Sequence, residues 1–213
     1  MDMIAYRESA LRSEALLLDV LRRLFLEGPS QALLEALAAT DAAGLELPAP
    51  QVEVLRRMCA AAAAGIERGA DRCLDLQAEF ARLLVGPAEP PALPYASCYL
   101  SPSRSLMTEE TLAVREGYLK AGLVVQQLHR IPDDHLGIEL EFLFFLTSAA
   151  AQAASSGDGE TVMHRLAERR SFIEQHFSRW APTFAERLMR ATEEPFFHGA
   201  GRLIKAVAEA PLA

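Results

Sequence analysis

Apolar residues recur at helical spacing along most of the chain. Leu11, Ala15, Leu18 and Phe25 form one such face and stop at Gly28-Pro29, which predicts a first helix ending there. Ser30 is placed to cap a second helix, whose Leu33, Leu34 and Leu37 follow it. Gly44, Pro48 and Pro50 then interrupt the pattern. Val52, Leu55, Cys59, Ala62 and Ile66 line a third helix, and Cys73, Leu76, Phe80 and Leu83 a fourth that ends at Gly86-Pro87. Residues 86–107 hold five of the twelve prolines and show no helical period, so a long loop is predicted there. Loops of that length inside a compact domain are uncommon and often functional.

Thr108 with Glu109 and Glu110 reads as the capped start of a helix running to about Gly122. A shorter segment follows and ends at Ile131-Pro132. Beyond it Leu136, Leu140, Leu143 and Thr147 share one face while Phe142, Phe145, Leu146 and Ala149 cover the others. A helix apolar on nearly all sides belongs at the centre of a bundle. Gly157-Asp158-Gly159 closes it, Leu166, Ile173, Phe177 and Trp180 mark the next helix, and Pro182 and Pro195 suit the first turns of two more. The pattern therefore predicts an all-α bundle of roughly nine or ten helices, forming one domain over residues 1–213.

Composition strengthens this reading. The chain has 37 Ala and 32 Leu against a combined 15 Val and Ile, which leaves little material for a sheet. Its 21 basic and 29 acidic residues give a formal net charge of −8, and no basic run exists to follow a phosphate backbone, so nucleic acid is not an expected partner. Cys59, Cys73 and Cys98 are an odd number without a close pair, as suits a reducing compartment. The longest uncharged run, Phe142 to Gly157, is 16 residues, short for a membrane span, and Met1 to Arg12 is polar. A cytoplasmic protein without stable membrane insertion is expected.

The densest polar cluster is Pro132-Asp133-Asp134-His135, followed by Glu139 and Glu141. Proline fixes a helix entry and carboxylates complement the dipole, so this could be an ordinary helix start. The sharper reading is a rigid corner where Asp134 and His135 receive a cationic or hydrogen-bonding ligand. His135 and Glu139, four apart, are a usable metal pair, but His164 and Glu168 share that spacing, and His129, His176 and His198 belong to no paired-His motif. Ser97 lacks a nucleophile elbow, none of the cysteines sits in a catalytic signature, and no phosphate-cradling glycine loop occurs. No catalytic residue, metal or cofactor is expected.

Two segments carry a family resemblance. Phe80-Ala81-Arg82-Leu83-Leu84-Val85-Gly86-Pro87 is followed by Pro94-Tyr95-Ala96-Ser97-Cys98-Tyr99. Some thirty to forty residues later comes Pro132-Asp133-Asp134-His135-Leu136-Gly137-Ile138-Glu139-Leu140. In this order they resemble the TorD/DmsD family of redox-enzyme chaperones, which includes the NarJ-like proteins, and His176-Phe177-Ser178-Arg179-Trp180 resembles that family's H-x-x-x-W segment. The likeness runs from about Gln77 to Ala208.

The resemblance implies an all-helical, non-catalytic protein that binds the twin-arginine leader of a molybdenum-cofactor oxidoreductase. Such a protein assists cofactor insertion and delays export until maturation; a NarJ-like factor acts instead on the mature part of a redox subunit. Both monomers and domain-swapped dimers occur among such proteins. A leader with a basic start and an apolar middle needs carboxylates beside an apolar groove. The resemblance places that groove among the end of the Phe80 helix, the 86–107 loop and the Pro132 corner. Asp134, with Glu139 or Glu141, would meet the arginines, His135 would bond the peptide or brace the loop, and Phe80, Leu83, Leu84, Pro94, Tyr95, Ser97, Tyr99 and Pro132 would complete the site.

Overall fold

The computed structural model describes residues 2–67, 69–101, 106, 109–123 and 131–209. Within these, ten α-helices and two short 3-10 turns account for the regular structure, and the sole strand-like feature is an antiparallel bridge between Tyr95 and His135. The helices are α1 (Asp2–Glu27), α2 (Gln31–Ala38), α3 (Ala49–Glu67), α4 (Ala70–Leu84) and α5 (Ser97–Leu100). They continue with α6 (Glu109–Lys120), α7 (Leu136–Ser155), α8 (Gly159–Gln175), α9 (Ala181–Arg190) and α10 (Pro195–Glu209).

The apolar periodicity anticipated most of these bounds. Gly28 ends α1 in the left-handed region at φ 76°, a conformation glycine takes without a Cβ penalty, and its N–H bonds the Leu24 carbonyl. Ser30 caps α2 by accepting the Leu33 N–H at 3.2 Å. Replacing Ser30 with alanine orphans that donor and is expected to lower the unfolding free energy by about 1 kcal/mol, read as a shift in the urea midpoint. Loss of less than a few tenths would show that water satisfies the end equally well. Thr108, the expected cap of α6, and the segment 124–130, including His129, lie outside the described residues.

The most apolar helix, α7, does lie at the centre. It is flanked by α1 on one side and α8 on the other, while α9 pairs with α10 and α10 rests on α3. This is the one described helix long and apolar enough to cross a membrane, yet two-thirds of its apolar window is buried against neighbouring helices. Its start comes so near the end of α1 that a Cβ on Gly137 would lie 3.1 Å from the Leu26 backbone nitrogen and 2.7 Å from its Cγ. Only glycine fits there without displacing α1.

One expected element is broken. The face Leu166, Ile173, Phe177, Trp180 reads as a single helix, but α8 stops at Gln175 and Phe177–Arg179 forms a 3-10 turn before α9. His176, at φ −131°, turns out of the helix and directs its ring to Glu139 of α7. A polar contact across the bundle thus overrides the helical period. Phe177 and Trp180 still reach the core, both 0% exposed.

Candidate functional site

The chain from Val85 to Ser101 is tied at both ends to regular structure. The Ala92 N–H bonds the Leu83 carbonyl at the end of α4. Further on, Leu136 N–H bonds the Pro94 carbonyl at 2.8 Å and Ala96 N–H bonds the Asp134 carbonyl at 3.0 Å, which makes the Tyr95–His135 bridge. The loop is therefore docked by main-chain bonds onto the corner at 132–136, and Tyr95 packs edge-on against the His135 ring, 5.1 Å between centroids.

Inside the predicted loop one turn of helix, α5, forms. The Asp134 carboxylate lies at its start, accepting the Ser97 N–H at 2.8 Å through Oδ2 and the Thr111 hydroxyl of α6 at 3.0 Å through Oδ1. The sequence shows no helical period here because the turn is organised by a carboxylate 37 residues away. Asp133 bonds the Arg115 Nε through its carboxylate and the Tyr118 hydroxyl through its carbonyl, the latter at 3.0 Å.

His135 caps α7: its Nδ1 accepts the Gly137 N–H at 3.1 Å. Burial pushes this imidazole down to about 4, against the upward pull of the neighbouring Asp134 charge. At neutral pH it is uncharged, as an Nδ1 acceptor requires.

Glu139 lies one turn further along α7 and is wholly buried. Its Oε1 meets His176 Nε2 at 2.8 Å and its Oε2 accepts the Trp180 indole N–H at 3.1 Å. Burial pushes the Glu139 carboxyl above the usual carboxylate range, although His176 and Trp180 oppose the shift. For His176, burial acts downward, but the charge and hydrogen bond of Glu139 outweigh it and the imidazole value is raised.

Comparison with known proteins adds the family. The family described as "Nitrate reductase delta subunit" matches residues 45–186, two-thirds of the chain. The chain belongs to the NarJ/TorD family. A "Chaperone protein TorD" from Vibrio cholerae is 34% identical over 136 residues, covering 64% of this chain and 60% of that protein. Proteins of the same name from Vibrio vulnificus (32% over 136 residues, 64% and 62%) and Aliivibrio fischeri (33% over 116 residues, 54% and 53%) are also similar. The matched region thus spans about 60% of the length of the first of these relatives.

In this NarJ/TorD-family chain the expected site residues divide into two sets. Tyr95 and Pro132 are half-buried on the loop and corner, and Pro94, Ser97, Asp134 and His135 sit beneath them. Leu83 and Leu84 belong to the hydrophobic core, and Phe80 packs against Phe197 of α10, 6.4 Å between centroids. Tyr99 lies between Trp180 and Phe184 with the Arg187 guanidinium 5.0 Å over its ring.

The expectation that Asp134 and Glu139 present carboxylates to an open groove differs from their placement. Both are 0% exposed and each satisfies two donors of the chain itself. The reason is energetic: a buried carboxylate without such partners would cost several kcal/mol. Glu141 is exposed on the outer side of α7, where Arg22 donates to it at 3.3 Å. His135 and Glu139, the possible metal pair, are each engaged elsewhere, and no cluster of three His, Cys, Asp or Glu suited to a metal occurs among the described residues. A cleft of ≈ 330 Å³ lies between α3 and α10, lined by Pro50, Val54, Arg57, Arg202 and Leu203, none of them part of the loop or corner.

The residues that reasoning from sequence missed are those of α6. Thr111, Arg115 and Tyr118 recur at i, i+4 and i+7 and all bond Asp133 or Asp134. Their spacing marks one helical face, but nothing local names the partner.

Proposed function

We propose that this protein is a maturation chaperone for a redox enzyme and that it binds the twin-arginine leader of a molybdenum-cofactor oxidoreductase in the cytoplasm. Cofactor insertion would be assisted, and export delayed, while the leader is held. The observation that carries the reading is the docking of the aromatic loop on the Asp133–Asp134 corner, in a chain whose relatives are named chaperone protein TorD. The leader would lie over Tyr95, Pro132 and His135, with its arginines directed to the acidic corner. Pro94, Ser97 and Tyr99 would set the loop's shape, and Phe80, Leu83, Leu84 and Glu139 would support it from within.

Calorimetric titration with a twin-arginine leader and a twin-lysine control tests this. The arginine leader should bind about tenfold more tightly, because a planar guanidinium makes paired hydrogen bonds to a carboxylate that an ammonium cannot. Its affinity should fall as salt rises from about 0.05 M to 0.5 M. Equal affinity for both peptides, or none for either, sinks the leader reading.

A second reading is favoured by the description of the matching family as a nitrate reductase subunit. On it the protein assembles a redox subunit through its mature part, as NarJ-like proteins do. Binding to the precursor that persists after the leader is removed would select it.

A further inference from the structure

The inner face of α6 is tied to the acidic corner by three polar contacts and enters the core through Val114 and Tyr118, whose ring lies 4.9 Å from that of Phe142. Thr111 bonds the Asp134 carboxylate, Arg115 the Asp133 carboxylate, and Tyr118 the Asp133 carbonyl. Only Thr111, Val114 and Tyr118 of this twelve-residue helix are buried, while Leu112 and Leu119 are more than half exposed. Its buried apolar anchors are Val114 and Tyr118, the latter packed on Phe142 and Phe172, so a displacement of α6 is a pivot about the Tyr118 end that carries Thr111 and Arg115 away from the corner.

The Arg115–Asp133 pair is asymmetric. The carboxylate side chain is 1% exposed and the arginine side chain 33%. The corner thus contains a carboxylate buried deeply enough to demand a guanidinium partner, and the partner it has comes from the solvent side. Because the guanidinium reaches Asp133 from the solvent side, another arginine can take its place while the buried carboxylate stays paired, so the exchange of like for like costs little. A second feature of the corner is unused. Ser97, whose N–H bonds Asp134, carries a fully buried hydroxyl with no partner among the described residues, a spare hydrogen-bonding group at the floor of the site.

Resting on the leader-binding reading above, we propose that Asp133 is the carboxylate that receives an arginine of the bound peptide. Arg115 occupies that place in the free protein as an internal stand-in, and α6 moves aside when the peptide binds. Asp134 then acts as a positioning residue, keeping the loop docked through Ser97 and Ala96 while its bond to Thr111 is exchanged. An arginine is required because the place already fits a guanidinium, and an ammonium would not reproduce its geometry.

The test titrates a twin-arginine leader into the wild-type protein and into Arg115→Gln, Arg115→Lys and Asp133→Asn variants. Arg115→Gln removes the internal competitor and should bind the leader about threefold to tenfold more tightly. Arg115→Lys, a poorer stand-in, should bind with an affinity between those of the wild type and Arg115→Gln, and Asp133→Asn should bind about tenfold or more weakly. Equal or weaker binding by a folded Arg115→Gln protein overturns the proposal. Should that variant fail to fold, hydrogen exchange in the wild type decides: the amides from Thr111 to Tyr118 should exchange faster with the leader bound, and unchanged or slower exchange overturns it. Leader binding by the wild type without the Arg115→Gln gain removes this inference and leaves the function intact. Absence of wild-type binding removes both.

Discussion

Replacing Glu139 by alanine should lower the unfolding free energy by about 3–5 kcal/mol, a loss as large as truncating a buried aromatic of the core. The wild-type carboxylate joins three elements: α7, the turn after α8 through His176, and the start of α9 through Trp180. Alanine leaves a buried indole N–H and a buried imidazole without their acceptor, and opens a cavity in the centre of the bundle. Glutamine keeps an acceptor for Trp180 and an amide for His176, so Glu139→Gln should lose only about 1–2 kcal/mol. Equilibrium unfolding in urea at neutral pH reads both. A domain's total stability is of order 5–15 kcal/mol, so the alanine variant would sit near the threshold of folding. An alanine loss below about 1 kcal/mol would mean that the turn at His176 is held by its apolar neighbours Phe172 and Phe177 instead.

The same residue shows what could be read from the sequence and what could not. The apolar faces of α1, α2, α4 and α7 were legible because burial in a bundle imposes a 3.6-residue period on each helix separately. The corner at Pro132–His135 was legible as well, since proline and carboxylates at a helix start have local reasons to be there. A glutamate inside the most apolar helix has no local reason. From the sequence Glu139 reads as a partner for the leader's arginines or half of a metal pair, and nothing there joins it to His176 and Trp180, which it meets in the bundle. Which partners met across the bundle depended on packing, as it did for Glu14 of α1 and Arg169 of α8, bonded at 2.6 Å with both side chains buried. The break in the helix at His176 follows from that long-range contact, and a period measured along eleven or so residues does not contain it. The α5 turn was hidden for the same reason, because Asp134 organises it from beyond α6.

The second large effect is a compensation between two buried groups with opposite pH dependence. Burial pushes the Glu14 carboxyl up from its ordinary 4.5 to about 7, although Arg169 acts to lower it. The folded state therefore holds this proton more tightly than the unfolded chain. The stability that results is complete below pH 4.5 and is lost as the pH rises through 7. His135 behaves in the opposite sense. Burial lowers its imidazole from 6.5 to about 4, so its contribution is complete above pH 6.5 and is lost as the pH falls through 4. Each contribution is worth about 3 kcal/mol over its window. Between pH 4.5 and 6.5 the two slopes oppose each other, and single variants should expose them. Glu14→Gln removes the acid-stabilising slope, so that variant should weaken relative to wild type on acidification toward pH 4. His135→Asn keeps a capping acceptor for Gly137 but cannot be protonated there, and it should strengthen relative to wild type over the same range. The remaining raised groups, Glu139 and His176, are common to all three proteins, so the differences between urea-unfolding profiles isolate the two residues. Three parallel profiles would contradict the assignment. The wild-type behaviour matters for the loop because a proton on His135 Nδ1 takes away the acceptor that caps α7. That cap lies directly behind the bridge from His135 to Tyr95. Acidification toward pH 4 should therefore loosen the Pro94–Ser97 attachment before the bundle itself unfolds, visible as faster amide exchange at Ala96 and Leu136 while the α7 interior stays protected.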